Sequence, residues 1–174
     1  MSKKTRVLTI CGSPQPKKSN TLTFVEDFVM ELTKSGLNLE HKVLSLGRYT
    51  LQPCKGCWSC TRGNKCIIND DLEMIKENML ECDLLILASP VYTNQVTAQM
   101  KALFDRLFTW CHIFPLMGTY SLSVSTTGND GSKPTGEFMQ KMLATYGTMS
   151  FGHISAMGGF TPGFFPLKER YIAK

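Results

Sequence analysis

Residues Asp83, Leu84, Leu85, Ile86, Leu87, Ala88 and Ser89 constrain the fold more than any other stretch. The run is nearly all apolar, so a strand here has no face to give to water and must be covered on both sides. Helices above and below a sheet meet that demand, and the flanking sequence supplies them. Arg6, Val7, Leu8, Thr9 and Ile10 read as a first strand, residues 40–46 as a second, 120–126 as a fourth and about 149–156 as a fifth. Between them, Leu22, Val25, Phe28, Val29 and Leu32 recur at helical spacing from about Asn20 to Lys34, and Gly36 is suited to end that helix. Leu72, Ile75, Met79 and Leu80 form one apolar stripe after Asp70 and Asp71, whose carboxylates read as helix caps. Residues 97–110 predict a helix with Met100, Leu103, Phe104, Leu107 and Phe108 inward and a Lys101–Asp105 pair outside; residues 135–146 predict another. Strands alternating with helices imply an α/β fold: one domain over residues 1–174, a five-stranded parallel sheet in the order 2-1-3-4-5, helices on both faces.

That order places a ligand. In an open parallel sheet it binds beyond the carboxyl ends of the strands where strand order reverses, here between strands one and three. The first strand runs into Cys11, Gly12, Ser13, Pro14, Gln15, Pro16, Lys17, Lys18, Ser19, Asn20 and Thr21, and then into a helix. Unpaired backbone N–H groups and the positive helix end meet there, which makes an anion site suited to phosphate. Ser19, Asn20 and Thr21 add side-chain donors; the competing reading is a helix cap beside a solvated lysine pair. Neither G-x-G-x-x-G nor G-x-x-x-x-G-K-[ST] occurs in the stretch. The loops after strands three and four, residues 90–94 and 126–130, converge on the same crevice with Ser, Thr, Asn, Gly and one Tyr. A polar, flat ligand carrying a phosphate fits that composition.

A chain of 174 residues that is 43% hydrophobic can bury a sizeable core. No run is long enough to cross a bilayer, and the apolar stretch near the start is too short for a signal peptide. A cytoplasmic setting is therefore expected, in which the 7 cysteines are reduced and a cluster of them signals metal or redox chemistry. The net charge of +5 is spread without a basic face, which argues against nucleic acid as a partner.

The blocks Gly12-Ser13-Pro14 with Ser19-Asn20-Thr21, Ser89-Pro90-Val91-Tyr92, and Gln99-Met100-Lys101 with Phe104-Asp105-Arg106 together resemble the NAD(P)H-dependent FMN reductases of the flavodoxin-like superfamily. The resemblance runs over roughly residues 6–157. It implies a flavodoxin-like fold and FMN as cofactor, with NAD(P)H as electron donor. It implies the FMN phosphate at Ser13, Lys18, Ser19, Asn20 and Thr21, and the flavin ring at Pro90, Val91, Tyr92, Thr93, Asn94, Thr127, Gly128 and Asn129. Members of the family often dimerise. Gln15 stands where the family often has Arg, so that phosphate contact is either missing or supplied by Lys17 or Lys18.

Cys54, Cys57, Cys60 and Cys66 have the spacing C-x2-C-x2-C-x5-C. Two successive short gaps let three thiolates converge on one object while a fourth reaches it from the next turn. This suits a cubane 4Fe-4S cluster better than zinc, whose ligands usually come as two separated pairs. The motif resembles the compact cysteine motif of the iron–sulfur flavoproteins, a branch of the same family. Free or simply packed thiols are the competing reading, and zinc a third. Cys11, Cys82 and Cys111 read as packing residues, His41 as an exposed strand residue, and His112 and His153 as structural.

A flavin oxidoreductase needs no general acid or nucleophile from the protein, and no convincing triad or carboxylate pair is present. The alternatives are a flavodoxin-like electron carrier with no substrate pocket, disfavoured by a pI of about 8.8, and a redox or metal sensor built on the cysteine loop. The electron acceptor, a small molecule or a protein, is not legible. A tail of Gly158, Gly159, Phe160, Thr161, Pro162, Gly163, Phe164, Phe165 and Pro166 is too rich in Gly and Pro to fold a helix over its Phe residues. Exposed apolar surface and a homodimer or larger homo-oligomer are expected from it.

Overall fold

The computed structural model describes residues 4–158 of the chain. Five strands, β1 (Thr5–Cys11), β2 (Leu39–Ser45), β3 (Leu84–Pro90), β4 (Tyr120–Thr127) and β5 (Met149–Met157), form one sheet in the order β2-β1-β3-β4-β5. Every pairing is parallel. The helices are α1 (Asn20–Lys34), α2 (Leu72–Glu81), α3 (Ala98–Arg106), the short α4 (Trp110–Ile113) and α5 (Ser132–Thr145). The fold is flavodoxin-like. No helix among the described residues is long and apolar enough to cross a membrane. The tail expected to expose apolar surface lies, from Gly159 on, outside the described residues.

Alternate side chains of the strands feed two cores, because successive residues of a strand point to opposite faces. Val7, Ile86, Ala88, Leu122, Val124 and Ala156 pack with Phe24, Val25 and Val29 of α1. Leu8, Ile10, Leu44, Leu85 and Leu87 pack on the other side with Ile75 and Met79 of α2, Met100, Leu103 and Phe104 of α3, and Met139 and Leu143 of α5. The apolar run of β3 is buried on both faces as its composition requires.

Several details differ from the sequence reading. The helix expected over residues 97–110 stops at Arg106, and the chain re-enters a single turn at Trp110. The break redirects the chain: Trp110 reaches the core edge-to-face on Tyr146, with ring centroids 5.9 Å apart. Phe108, expected inward, is 43% exposed, as is Leu80 of the α2 stripe at 54%. His41 is half-buried and bonded to Thr9 Oγ1 on β1 at 2.8 Å, so it is a cross-strand tie and not an exposed residue.

Candidate functional site

The loop after β1 is fixed before any ligand arrives. Ser19 caps α1, its hydroxyl accepting from Leu22 N at 3.2 Å, and Cys11 Sγ lies 3.9 Å from the same hydroxyl. Gly12 N donates to Ala88 O, and Thr97 Oγ1 donates to Gly12 O at 2.6 Å. A Cβ on Gly12 would lie 2.9 Å from both Met100 Cβ and Thr97 Oγ1, so only glycine fits there. On the outer side the 3-10 turn Leu46–Arg48 supports the loop: a Cβ on Gly47 would lie 2.7 Å from Pro14 O, and Arg48 donates to Pro16 O.

The three loops meet over a crevice of about 280 Å³ at the ends of β1, β3 and β4. Of the residues expected there, Ser13, Lys18, Ser19, Asn20, Thr21, Pro90, Val91, Tyr92, Thr127 and Gly128 line it. Gln15, Thr126 and Gly158 line it too, without having been singled out as ligand residues. Thr126 was expected at the crevice as the start of the β4 loop and not as a ligand residue; its hydroxyl is bonded to Thr21 Oγ1 across the crevice. Ser13, Ser19, Thr21, Thr126 and Thr127 are all buried, so five hydroxyls crowd one small space at a helix N-terminus. That donor set, together with Lys18, fits a phosphate and the polar edge of a flavin.

Thr93, Asn94 and Asn129 are not part of the lining. Thr93 and Asn94 form the tip of a two-residue turn, with φ of 50° and 58°, closed by paired hydrogen bonds between Tyr92 and Gln95. Asn94 packs instead against Gly131, where a Cβ would come within 2.6 Å of its Oδ1, and so couples the loops after β3 and β4. Asn129 donates its N–H to Thr127 Oγ1, which bonds onward to Asp130 O, and this orders the β4 loop from outside.

The cysteine loop has a different foundation. Arg106, at the end of α3, forms an ion pair with Asp70 in which both side chains are almost fully buried (1% and 0% exposed). Its Nη1 also donates to Gln52 O at 2.8 Å, and Asp70 Oδ2 accepts from Gln52 N at 2.9 Å. Asp71 Oδ2 accepts from Thr50 N at 2.7 Å. One guanidinium therefore clamps both ends of the segment that carries the cysteines. Asp70 does accept from Leu72 N at 3.3 Å, but Asp71 makes no side-chain cap bond. The carboxylates read as helix caps mainly close this loop. Burial alone would raise the Asp70 pKa; Arg106 and the N–H groups of Gln52 and Leu72 outweigh it and hold the carboxyl below the usual range.

Beyond the clamp, Cys54, Cys57 and Cys60 are exposed and Cys66 is half-buried; all 7 cysteines are free thiols. The four loop cysteines line a second cavity, of about 550 Å³, together with Cys111 and the aromatic rings of Trp58, Phe104, Phe108, Phe138 and Tyr146. Four free thiols around one cavity are the right donor set for an iron–sulfur cluster. They are not drawn into one ligand sphere: among the described residues no three of His, Cys, Asp and Glu converge closely enough to hold a metal ion. Cys11 and Cys82 are buried packing residues, and burial pushes the Cys82 thiol up to about 11. His153 is structural, with Ser123 Oγ at 3.0 Å from Nδ1 and Ser125 Oγ at 3.1 Å from Nε2.

Comparison with known proteins gives the lineage. The family profile described as NADPH-dependent FMN reductase matches residues 5–161. An iron–sulfur flavoprotein of Archaeoglobus fulgidus is 31% identical over 88% of this chain and 69% of its own length. Another, of Methanosarcina thermophila, is 30% identical over 90% of this chain and 82% of its own. Among solved structures, RosB with bound 8-demethyl-8-formylriboflavin-5'-phosphate superposes with a TM-score of 0.73 at 17% identity, over 92% of this chain and 68% of that one. The NAD(P)H:quinone oxidoreductase of Methanothermobacter marburgensis gives 0.67 at 17% identity, over 93% and 87%. The chain belongs to the NADPH-dependent FMN reductase family and is an NAD(P)H-dependent, FMN-dependent oxidoreductase.

Proposed function

We propose that residues 1–174 act as one FMN-binding domain that takes electrons from NAD(P)H at the crevice over β1, β3 and β4 and passes them on by way of the cysteine loop. The observation that carries the cofactor site is the group of five buried hydroxyls at the N-terminus of α1. Bound FMN supplies the redox chemistry of its ring. The chain's own part is binding and orientation. Ser13, Lys18, Ser19, Asn20 and Thr21 hold the phosphate. Pro90, Val91, Tyr92, Thr127 and Gly128 border the ring, with Tyr92, half exposed, able to cover it. Thr93, Asn94 and Asn129 keep these loops in position without lining the crevice.

The acceptor side rests on the loop. Cys54, Cys57, Cys60 and Cys66 would hold a 4Fe-4S cluster, which adds a one-electron carrier. Support comes from the four free thiols around one cavity and from relatives called iron–sulfur flavoproteins. The sulfurs must move together to ligate, and the clamp at residues 52 and 70 leaves the tip of the loop as the part that moves. The setting we propose is the reducing cytoplasm, where these thiols stay available. The assembly we propose is a homodimer or larger, supported by an exposed apolar strip on β4 and β5 in which Phe151, 68% exposed, stacks on Tyr120. A monomer by light scattering at micromolar concentration contradicts it.

Protein purified without oxygen should carry FMN, oxidise NAD(P)H without an added partner protein, and contain about four iron and four acid-labile sulfide per chain. FMN and turnover without iron after anaerobic reconstitution leave a flavin reductase with a thiol-rich loop. Absence of both flavin and flavin affinity overturns the cofactor site itself.

A further inference from the structure

The larger cavity holds more than the loop cysteines, and most of its wall has no role in the flavin site. It shares no lining residue with the flavin crevice. Its floor is the seam between α3 and α5, where Phe104 and Phe138 meet edge-to-face with centroids 5.6 Å apart. Its rim is Trp58 from the cysteine loop, edge-to-face on Phe108 at 5.7 Å, and both rings are substantially exposed to the space. Leu107, Ile68 and Met142 complete an apolar wall.

Two polar atoms break that wall. The Tyr146 hydroxyl is fully buried, in a residue only 1% exposed, and has no hydrogen-bond partner. Tyr146 lines the cavity together with Asp105 and Cys111, and burial, before those two groups, pushes its pKa up. Arg106 Nε, equally buried, finds no acceptor in bonding geometry, although Cys66 lies close enough to act on the guanidinium. A buried donor left unmade costs free energy, and native proteins rarely leave one without a reason. Of the cations in the lining, Arg106 pairs with Asp70, Lys101 with Asp105 and Lys76 with Glu73, while Lys55 stands exposed on the cysteine loop. The buried hydroxyl therefore asks for an oxygen acceptor on a flat body, and exposed Lys55 accommodates an anionic substituent on it.

We propose that this cavity is a second small-molecule site, which takes a planar aromatic carbonyl compound with its rings among Trp58, Phe104, Phe108 and Phe138 and its carbonyl oxygen accepting from the Tyr146 hydroxyl. Apolar walls with a few convergent polar groups are the usual make-up of such sites. The inference concerns binding alone and is made for the loop as it stands here, with its thiols free, because a cluster would move the tip that carries Trp58.

The test uses the full chain purified in air, oxidised and without NAD(P)H, with flavin content recorded and iron confirmed absent. Anthraquinone-2-sulfonate is the probe: its carbonyls are unsubstituted acceptors, its rings do not add thiols, and its sulfonate can stay at the open mouth. Calorimetric titration should give one site per chain that saturating FMN does not displace. Tyr146→Phe, which removes a hydroxyl that bonds to nothing in the fold, should weaken the probe roughly tenfold while leaving flavin content unchanged. Trp58→Ala, at an exposed loop position, should weaken it by a similar factor. Displacement of the probe by FMN, indifference to both substitutions, or no binding up to millimolar probe overturns the proposal. Loss of flavin binding with the probe site intact would strike the flavin reading and leave this one standing.

Discussion

The loop after β1 and the loop after β2 leave neighbouring strands at the same end of the sheet, yet they are held in different ways. The first is braced along its whole length: Gly12 against Thr97 and Met100, the Ser13–Pro14 backbone against Gly47, and Ser19 locked into the first turn of α1. The second is clamped at its base, where Arg106 and Asp70 join residue 52 to residue 70, and its tip, which carries exposed Cys54, Cys57 and Cys60, rests on the body through Trp58 against Phe108. A rigid cradle suits a cofactor whose phosphate must be met by groups already in place. A loop fixed at its neck and open at its tip suits a group that has to be wrapped. The difference teaches that backbone packing builds the first site and one buried ion pair builds the second.

Removing one member of that pair tests the contrast most severely. Asp70→Ala leaves a guanidinium buried without its carboxylate, which should cost about 3–5 kcal/mol in denaturant unfolding and open residues 52–70 to proteolysis. A loss below about 1 kcal/mol would mean that the loop is held elsewhere. Gly47→Ala comes next. Its Cβ would lie 2.7 Å from Pro14 O and 2.9 Å from Ser13 O, and relief has to come from backbone, so about 1–3 kcal/mol of stability and some FMN affinity should be lost together. Gly56→Ala in the cysteine loop meets nothing within 4 Å and should cost only the strain of its φ of +63°, about 1 kcal/mol, with FMN affinity unchanged. Equal effects at the two glycines would erase the distinction between a braced and an open loop. Ser19→Ala should cost about 1 kcal/mol of stability as a lost cap, over and above any loss in FMN binding.

The smallest effect is on pH. Burial lowers the His41 and His153 pKa values below 6.5, so the unfolded chain binds the proton more readily than the folded one. Their contribution is complete above pH 6.5 and declines as pH falls through the folded values. Asp70 acts later, because its lowered pKa adds stability above 3.8 that is lost on further acidification. A melting temperature that rises between pH 7 and pH 5.5 contradicts the assignment for the histidines.

Much of the braced region was legible from sequence, since local pattern encodes it. Apolar runs mark the strands, the Gly/Ser/Pro break marks the loop, and the alternation of strand and helix fixes which loops converge. Ten of the thirteen residues expected at the flavin accordingly line the crevice. Of the three exceptions, Thr93 and Asn94 sit at a turn tip in left-handed backbone, which Thr does not announce, and Asn129 bonds to Thr127 from outside the crevice. The open region was legible only as a cysteine spacing. Its clamp joins residues 36 positions apart, and an ion pair of that span has no sequence signature. Phe108 shows the same blindness: helical spacing put it inward, but the helix ends two residues earlier and leaves it on the rim of the cysteine cavity.

The central claim is that the cradle after β1 is a phosphate site for FMN, and the most direct measurement is the affinity of flavin-free protein for FMN against riboflavin. The two ligands share the ring and differ by the phosphate alone. With two or more charge-assisted hydrogen bonds from the loop, FMN should bind at least roughly a hundredfold more tightly, and Ser19→Ala with Thr21→Ala should remove most of that margin. Equal affinity for FMN and riboflavin, or a margin untouched by the double substitution, would contradict the account.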